Sequence, residues 1–562
     1  MKLLWALALA VAPLSQASPA KLAASPIVTI SQPQATIIGG KRLGVEVFPG
    51  VPFAKPPVGP LRLKPPQPLT EPLGTYEAKE NGLACPQFFF STELDDAIPT
   101  SPLGKLVNTP LFQEILNAGE DCLHLNIHRP EGTTESDNLP VLFWIYGGGF
   151  ELGWNALFDI GSWVTASVKA GKPIIAVSVN YRVGGWGFLP GKEVLADGSA
   201  NLGLLDQRLG LQWVADNIAA FGGNPDAVTI WGESAGAISV FDQMLMYDGD
   251  HTYKGKPLFR GGIMNSGSVV PADPVDTAKG QQVYDTVVGH AGCAGSADTL
   301  NCLREVDYDK LLHAMNSVPG ILSYSSIALS YLPRPDGTVL TKSPDDLLLE
   351  GKVAKVPFII GSQEDEGTLF ALFQSNITTK AQLATYLKTK FFNSASDEQI
   401  EKLISIYSSI SEYGAPHRTG LLNNWYPQFK RLAAILGDLT FTLTRRSVLE
   451  VSNIINPDVP TWSYLSSFEH GLPILGTFHA SDLIQVFFGI LPNYASKAFH
   501  GYYLSFIHGQ DPNNGTDLPE WPRWSEGRKL VNMYDWNSKL ILDNFRNAAY
   551  EFILENVRSF HI

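Results

Sequence analysis

The stretch Phe221-Gly222-Gly223-Asn224-Pro225-Asp226-Ala227-Val228-Thr229-Ile230-Trp231-Gly232-Glu233-Ser234-Ala235-Gly236 constrains the chain more than any other. A short apolar run, Ala227 to Trp231, stops at Gly232, and helix-compatible sequence begins at once with Ala235-Gly236-Ala237-Ile238. That order reads as strand, sharp turn, helix. A G-x-S-x-G turn this tight needs small flanking residues and lifts the serine hydroxyl above a sheet edge. The helix behind it points its free amides and partial positive charge at the same place, which favours a developing oxyanion. Ser234 is therefore a candidate nucleophile, and a base, an acid and an oxyanion hole must be found elsewhere in the chain.

A parallel sheet with helical crossovers is the scaffold such a turn belongs to, and the rest of the chain supplies its parts. Val141-Leu142-Phe143-Trp144-Ile145 is an unbroken apolar strand of the kind covered by helices on both faces. It runs into Tyr146-Gly147-Gly148-Gly149-Phe150, where three glycines let backbone N–H groups turn toward one point. No Lys-Ser/Thr follows, which argues against a phosphate-binding loop. Pro173 to Asn180 reads as another buried strand and Gly203 to Ala219 as a helix leading to the serine turn. Gly262 to Met264, Val356 to Gly361 and Trp462 to Ser467 read as later strands. Residues 27 to 82, dense in Pro and Gly with Pro56-Pro57-Val58-Gly59-Pro60, read as an irregular segment on the surface.

With no linker, repeat or low-complexity tract in 562 residues, and 44% hydrophobic residues to fill a core, residues 19 to 562 read as one large α/β domain with insertions. The net charge of −14 disfavours nucleic acid, whose phosphates need clustered Lys and Arg. Met1-Lys2, the apolar run Leu3 to Leu14 and the small residues to Ser18 have the form of a secretory signal, too short for a membrane anchor. Export makes disulfides the simplest use of Cys85, Cys122, Cys293 and Cys302. Three pairings are possible, and Cys85 with Cys122 plus Cys293 with Cys302 is the one that closes two short, uncrossed loops. Asn376 and Asn514 lie in N-glycosylation acceptor triplets.

Between Cys85 and Cys122, Phe88-Phe89-Phe90, a polar patch at Glu93 to Asp96, and Leu103, Leu106, Val107, Leu111, Phe112, Ile115 and Leu116 at near-helical spacing make an unusual excursion. It reads either as an amphipathic helix covering the core or as a lid, residues 86 to 121, whose apolar inner face meets lipid when open.

For the acid, Glu364, Asp365 and Glu366 follow an apolar strand. For the base, His470 and His479 follow Trp462 to Ser467, and His479 has small neighbours in Gly476-Thr477-Phe478-His479-Ala480-Ser481. Residue chemistry alone leaves the choice within each group open.

Several of these pieces together resemble the type-B carboxylesterase/lipase family, which has the α/β-hydrolase fold. They are Phe221-Gly222-Gly223 ahead of Gly232-Glu233-Ser234-Ala235-Gly236, Glu120-Asp121-Cys122-Leu123, the triple glycine, and Asp365-Glu366-Gly367-Thr368. Gly476-Thr477-Phe478-His479 and Ser330-Tyr331-Leu332-Pro333-Arg334-Pro335-Asp336-Gly337 are most similar to the secreted fungal lipases and sterol esterases of that family. The resemblance implies Ser234 as nucleophile, Glu366 as acid, His479 as base, and Gly148, Gly149 and Ala235 as oxyanion-hole amides. It also implies the uncrossed disulfides, a buried Arg62 to Glu120 ion pair near the lid base, and the lid reading of residues 86 to 121. Phe150, Leu329, Leu332, Phe370, Leu439 and Phe441 occupy positions resembling the lining of an acyl tunnel, with Thr440 where relatives can carry Gly.

The expected activity is cofactor-free serine hydrolysis of water-poor esters, acylglycerols and sterol esters, since each buried acyl CH2 contributes about 0.8 kcal/mol. Two other readings compete: an esterase for small soluble esters, with segment 86 to 121 a fixed cover, and a non-catalytic adhesion module, from which the complete set Ser234, Glu366 and His479 argues away. The apolar lid face could also pair two copies of the chain.

Overall fold

The computed structural model describes residues 25–88, 117–488 and 493–562. Residues 1 to 18, read as a secretory signal, and residues 89–116, which hold most of the lid reading, lie outside them.

An 11-stranded sheet forms the frame. Its strands in chain order are β1 (Gly40–Arg42), β2 (Val45–Pro52), β3 (His124–Pro130), β4 (Leu139–Ile145), β5 (Ile175–Val179) and β6 (Gly223–Glu233), then β7 (Gly261–Asn265), β8 (Phe358–Gln363), β9 (Thr461–Ser466), β10 (Lys529–Met533) and β11 (Ser538–Leu542). In space they run β11-β10-β9-β8-β7-β6-β4-β5-β3-β2-β1. The seven from β5 to β10 are parallel to their neighbours, and the outer pairings are antiparallel. Every residue of β5, β7, β8 and β9 is buried, as expected of strands covered on both faces. The expected large, mainly parallel sheet flanked by helices is therefore present.

Two helices matter most for the site. Helix α1 (Leu202–Asn217) leads to β6, burying Leu204, Leu211 and Val214. Helix α2 (Ala235–Gly249) starts directly after Ser234 and is regular until Met246 to Asp248 depart from helical dihedrals. A second apolar cluster, built around Phe370, Phe429, Leu432, Leu436 and Phe441, lies apart from the core that wraps the sheet.

Residues 27 to 82 are more regular than their composition suggests. Ile27–Ser31, Gln34–Ile38 and Gly74–Glu77 form a separate three-stranded sheet, and β1 and β2 join the main one. The alternating exposure along Ile27–Ser31 is the period of a half-buried strand. Pro49 and Gly50 hide β2 from a composition reading, because the strand absorbs them where its register with β3 shifts between Phe48 and Val51.

The cysteines pair as expected, Cys85 with Cys122 and Cys293 with Cys302. Arg62 Nη2 meets Glu120 Oε2 at 2.6 Å, with both side chains about nine-tenths buried. Trp186 Nε1 donates to the other Glu120 oxygen at 3.1 Å.

Candidate active site

Each catalytic candidate lies on a loop beyond the carboxyl end of a parallel strand, the edge at which open α/β sheets present their ligand sites. Ser234 follows β6, the triple glycine follows β4, Glu366 lies three residues beyond β8, and His479 is on the long loop after β9.

The serine turn is shaped by close backbone approach. A Cβ on Gly232 would stand 2.2 Å from the Gly236 carbonyl carbon, and one on Gly236 would stand 2.1 Å from the Ile145 oxygen. Only hydrogen fits at either place. Ser234 itself is held at φ 55°, ψ −124°, strain that a buried surround must over-determine. Its N–H donates to the Asn265 carbonyl at 2.9 Å, which ties the turn to the end of β7.

His479 bridges serine and carboxylate. Its Nε2 is 2.7 Å from Ser234 Oγ and its Nδ1 is 2.6 Å from Glu366 Oε2. The other Glu366 oxygen accepts the Gln363 N–H at 2.6 Å, so the carboxylate is aimed from both sides. The imidazole packs on the rings of Phe441 and Phe370, at centroid distances of 4.5 and 5.0 Å. His470 joins none of these contacts.

The three adjacent carboxylates have separate surroundings. Glu364 accepts from Arg418 Nε at 2.7 Å. Asp365 receives the His417 N–H at 2.7 Å and the Thr477 N–H at 3.0 Å, while its own N–H donates to the Thr477 carbonyl at 2.9 Å. Asp365 thus stitches the loop after β8 to the loop that carries His479. Burial first, and then the neighbouring Glu364 charge, push its carboxyl up to about 8.

On the opposite side, Gly148 and Gly149 have φ 117° and 62°, conformations that favour glycine. Their N–H groups and that of Ala235 donate to no acceptor among the described residues. Tyr146, at the head of this loop, is locked to Tyr181: each hydroxyl donates to the other's carbonyl, at 2.9 and 2.7 Å, and the rings stack at 4.4 Å. Glu151, just past the loop, accepts the Ile321 N–H at 2.7 Å, and burial raises its carboxyl to about 8.

Two buried acids near the site carried no sequence signal beyond adjacency to Ser234 and His479. Glu233 Oε1 lies 3.5 Å from His479 Nε2. Burial, followed by the charges of Asp482 and Glu366, raises Glu233 well above the usual carboxylate range. Asp482, raised to about 6 mainly by burial, accepts from Asn265 Nδ2 at 2.8 Å. Asn265 in turn accepts from Trp231 and Tyr503.

A cavity opens onto Ser234 and is lined by Phe150, Leu329, Leu332, Phe370 and Phe441, five of the six residues expected there. Leu439 instead lines a neighbouring apolar cavity that shares Val270, Thr440 and Ile562 with the first. Asp438–Thr442 is a π-helical turn. Residues two apart on such a turn face nearly opposite sides, so Leu439 and Phe441 diverge and Thr440 stands between the two spaces. Asn376 and Asn514 are both exposed.

This geometry can pass a proton from a hydroxyl to an imidazole. Known proteins share its frame. The Carboxylesterase family pattern matches residues 24–553. Secreted lipase 1 of Botryotinia fuckeliana is 67% identical over 542 residues, spanning 96% of this chain and 94% of that protein. Secreted triacylglycerol lipase LIP1 of Gibberella zeae is 54% identical over 547 residues, spanning 97% and 93%. Among solved structures, the crystal structure of Aspergillus niger EstA superposes with a TM-score of 0.80 at 26% identity, covering 96% of this chain and 99% of that one. With sheet, serine turn and sequence in agreement, the chain belongs to the carboxylesterase family and has the α/β-hydrolase fold.

Proposed function

We propose that the protein is a secreted hydrolase of lipid carboxylic esters that works through an acyl-enzyme on Ser234. The observation that carries this reading is the continuous hydrogen-bonded chain Ser234 Oγ, His479 Nε2, His479 Nδ1, Glu366 Oε2. In the first half-reaction His479 Nε2 takes the hydroxyl proton as Oγ attacks the ester carbonyl. The carbonyl oxygen, now negative, is met by the free N–H groups of Gly148, Gly149 and Ala235. The tetrahedral adduct collapses as His479 returns the proton to the departing alcohol, leaving the acyl group on Ser234. Water then enters and gives a proton to His479 as its oxygen adds to the acyl carbonyl; the adduct collapses, His479 returns that proton to Ser234 Oγ, and the carboxylic acid is released. Glu366 holds the imidazole in the required tautomer and stabilises its charged form.

The lipid part of the reading is supported by the apolar wall of the cavity at Ser234 and by relatives named as secreted and triacylglycerol lipases. Export also agrees with the leader-like N-terminus, and no helix among the described residues is long and apolar enough to cross a membrane. The exposed Asn376 and Asn514 are accessible to glycosylation. One hydrolase domain over residues 19 to 562, a lid at 86 to 121, pairing of two copies through it and a preference for sterol esters rest on the sequence pattern.

Ser234→Ala tests the core claim: turnover of every ester is lost while the melting temperature stays near wild type. Wild-type-like hydrolysis by that variant overturns the assignment. Rates on butyrate, octanoate and oleate esters test the lipid claim, which fails if the short soluble ester is the best substrate.

A further inference from the structure

One group in the Ser234 cavity takes no part in the proposed cycle. Asp242 lies on α2, eight residues after Ser234, and the series Ser234, Ile238, Asp242 runs along one helix face into the cavity. Its side chain is 1% exposed, and neither carboxyl oxygen has a hydrogen-bond partner among the described residues. Among the described residues, the only other polar side chains on this wall are those of Ser234 itself and Thr440. A buried polar group without a partner is uncommon in a folded protein and calls for a ligand or another explanation.

We propose that Asp242 is a specificity-determining residue that makes this cavity select acyl chains bearing a mid-chain hydroxyl group. The inference rests on Ser234 being the residue that carries the acyl group. Eight helical residues advance about 12 Å. An extended alkyl chain built from C–C bonds of about 1.5 Å advances about 1.3 Å per carbon, so Asp242 faces the chain near its ninth carbon.

Burial holds the Asp242 carboxyl well above the usual carboxylate range. The protonated group offers one O–H donor and one C=O acceptor. A secondary alcohol satisfies both at once, donating to the C=O and accepting from the O–H. A keto or epoxide oxygen satisfies only the donor, and a plain alkyl chain satisfies neither. A site with a buried hydrogen-bonding group discriminates against the analogue that lacks the matching hydroxyl far more strongly than an apolar pocket discriminates against an added methylene.

The test is a competition between two octadecanoate methyl esters dispersed in the same micelles, one hydroxylated near carbon nine and one unsubstituted. The readout is the ratio of their kcat/KM values in wild type, Asp242→Asn and Asp242→Leu, which does not depend on how much of each variant folds. Wild type is expected to favour the hydroxylated ester about 10- to 100-fold. Asp242→Leu should bring the ratio to one or below, and Asp242→Asn, which keeps a donor and an acceptor, should fall between. A wild-type ratio of one, or the same ratio in wild type and Asp242→Leu, overturns the proposal.

A second measurement separates this proposal from the hydrolase reading. In the Ser234→Ala background, free hydroxyoctadecanoate should raise the melting temperature more than octadecanoate does, and Asp242→Leu should abolish the difference. Hydrolysis of both esters with no preference defeats the role of Asp242 alone. A melting preference without hydrolysis in wild type defeats the hydrolase reading and leaves the Asp242 site standing.

Discussion

Glu364, Asp365 and Glu366 are three consecutive carboxylates with three different surroundings: a surface pair with Arg418, a loop-to-loop stitch through His417 and Thr477, and the imidazole of His479. The variants should separate accordingly. Glu366→Gln keeps the shape but misorients the imidazole, and a loss of roughly 10^4-fold in kcat with little change in KM is expected. Glu364→Ala removes a half-exposed ion pair, and such pairs contribute about 0 to 1 kcal/mol, so steady-state rates should stay within about threefold of wild type. Equal losses in the two variants contradict the assignment. Sequence chemistry left these three open because adjacent carboxylates differ only in which neighbour they reach. The family resemblance singled out Glu366, and the hydrogen bond to His479 supplies a physical reason for that choice. The role of Asp365 had no sequence signal, since both of its donors are backbone N–H groups from distant loops.

The serine turn and the triple-glycine loop were the most legible elements, because each depends on local backbone geometry that glycine alone permits. Gly236→Ala places a methyl 2.1 Å from the Ile145 carbonyl oxygen, with backbone on both sides and no flexible atom to move. Overpacking of this kind costs about 1 to 3 kcal/mol or more, and a lowered urea midpoint together with lost activity is expected. Tyr181→Phe is a gentler probe of the second loop. It removes the donor to the buried Tyr146 carbonyl, a loss of about 1 to 3 kcal/mol. It should also lower kcat more than it raises KM, because the misplaced amides meet charge that exists only in the transition state. An unchanged kcat would show that the Tyr146 to Tyr181 lock does not position those amides. Residues 27 to 82 were the least legible, as Pro and Gly in and around β2 masked an alternation that pairing with β3 makes sense of.

Across the molecule, the disulfides and the buried acids set how stability responds to conditions. The Cys85 to Cys122 bridge spans 37 residues and the Cys293 to Cys302 bridge spans 9. On the chain-entropy model these contribute about 3.8 and about 2.6 kcal/mol, so replacing the first pair with alanine should lower the melting temperature more than replacing the second. Glu151 moves from an ordinary 4.5 to about 8 on burial. Between those values the folded chain keeps a proton that the unfolded chain has released, so stability falls as pH rises through that window. Glu151→Gln removes this contribution, and its urea midpoint should drop less between pH 5 and pH 8 than that of wild type. A parallel drop in both proteins contradicts a protonated Glu151.

The buried parallel strands, the serine turn, the glycine loop and the uncrossed cysteine pairs could be read along the chain because each depends on neighbours in sequence: apolar runs, small residues and short loops. The joining of Glu366 to His479, the stitch at Asp365, the divergence of Leu439 from Phe441 and the unpartnered carboxyl of Asp242 depend on segments up to 113 residues apart or on which way a helical turn faces. Those relations exist only once the sheet has brought its strand ends together, and burial then decides which acids ionise and which hold their protons.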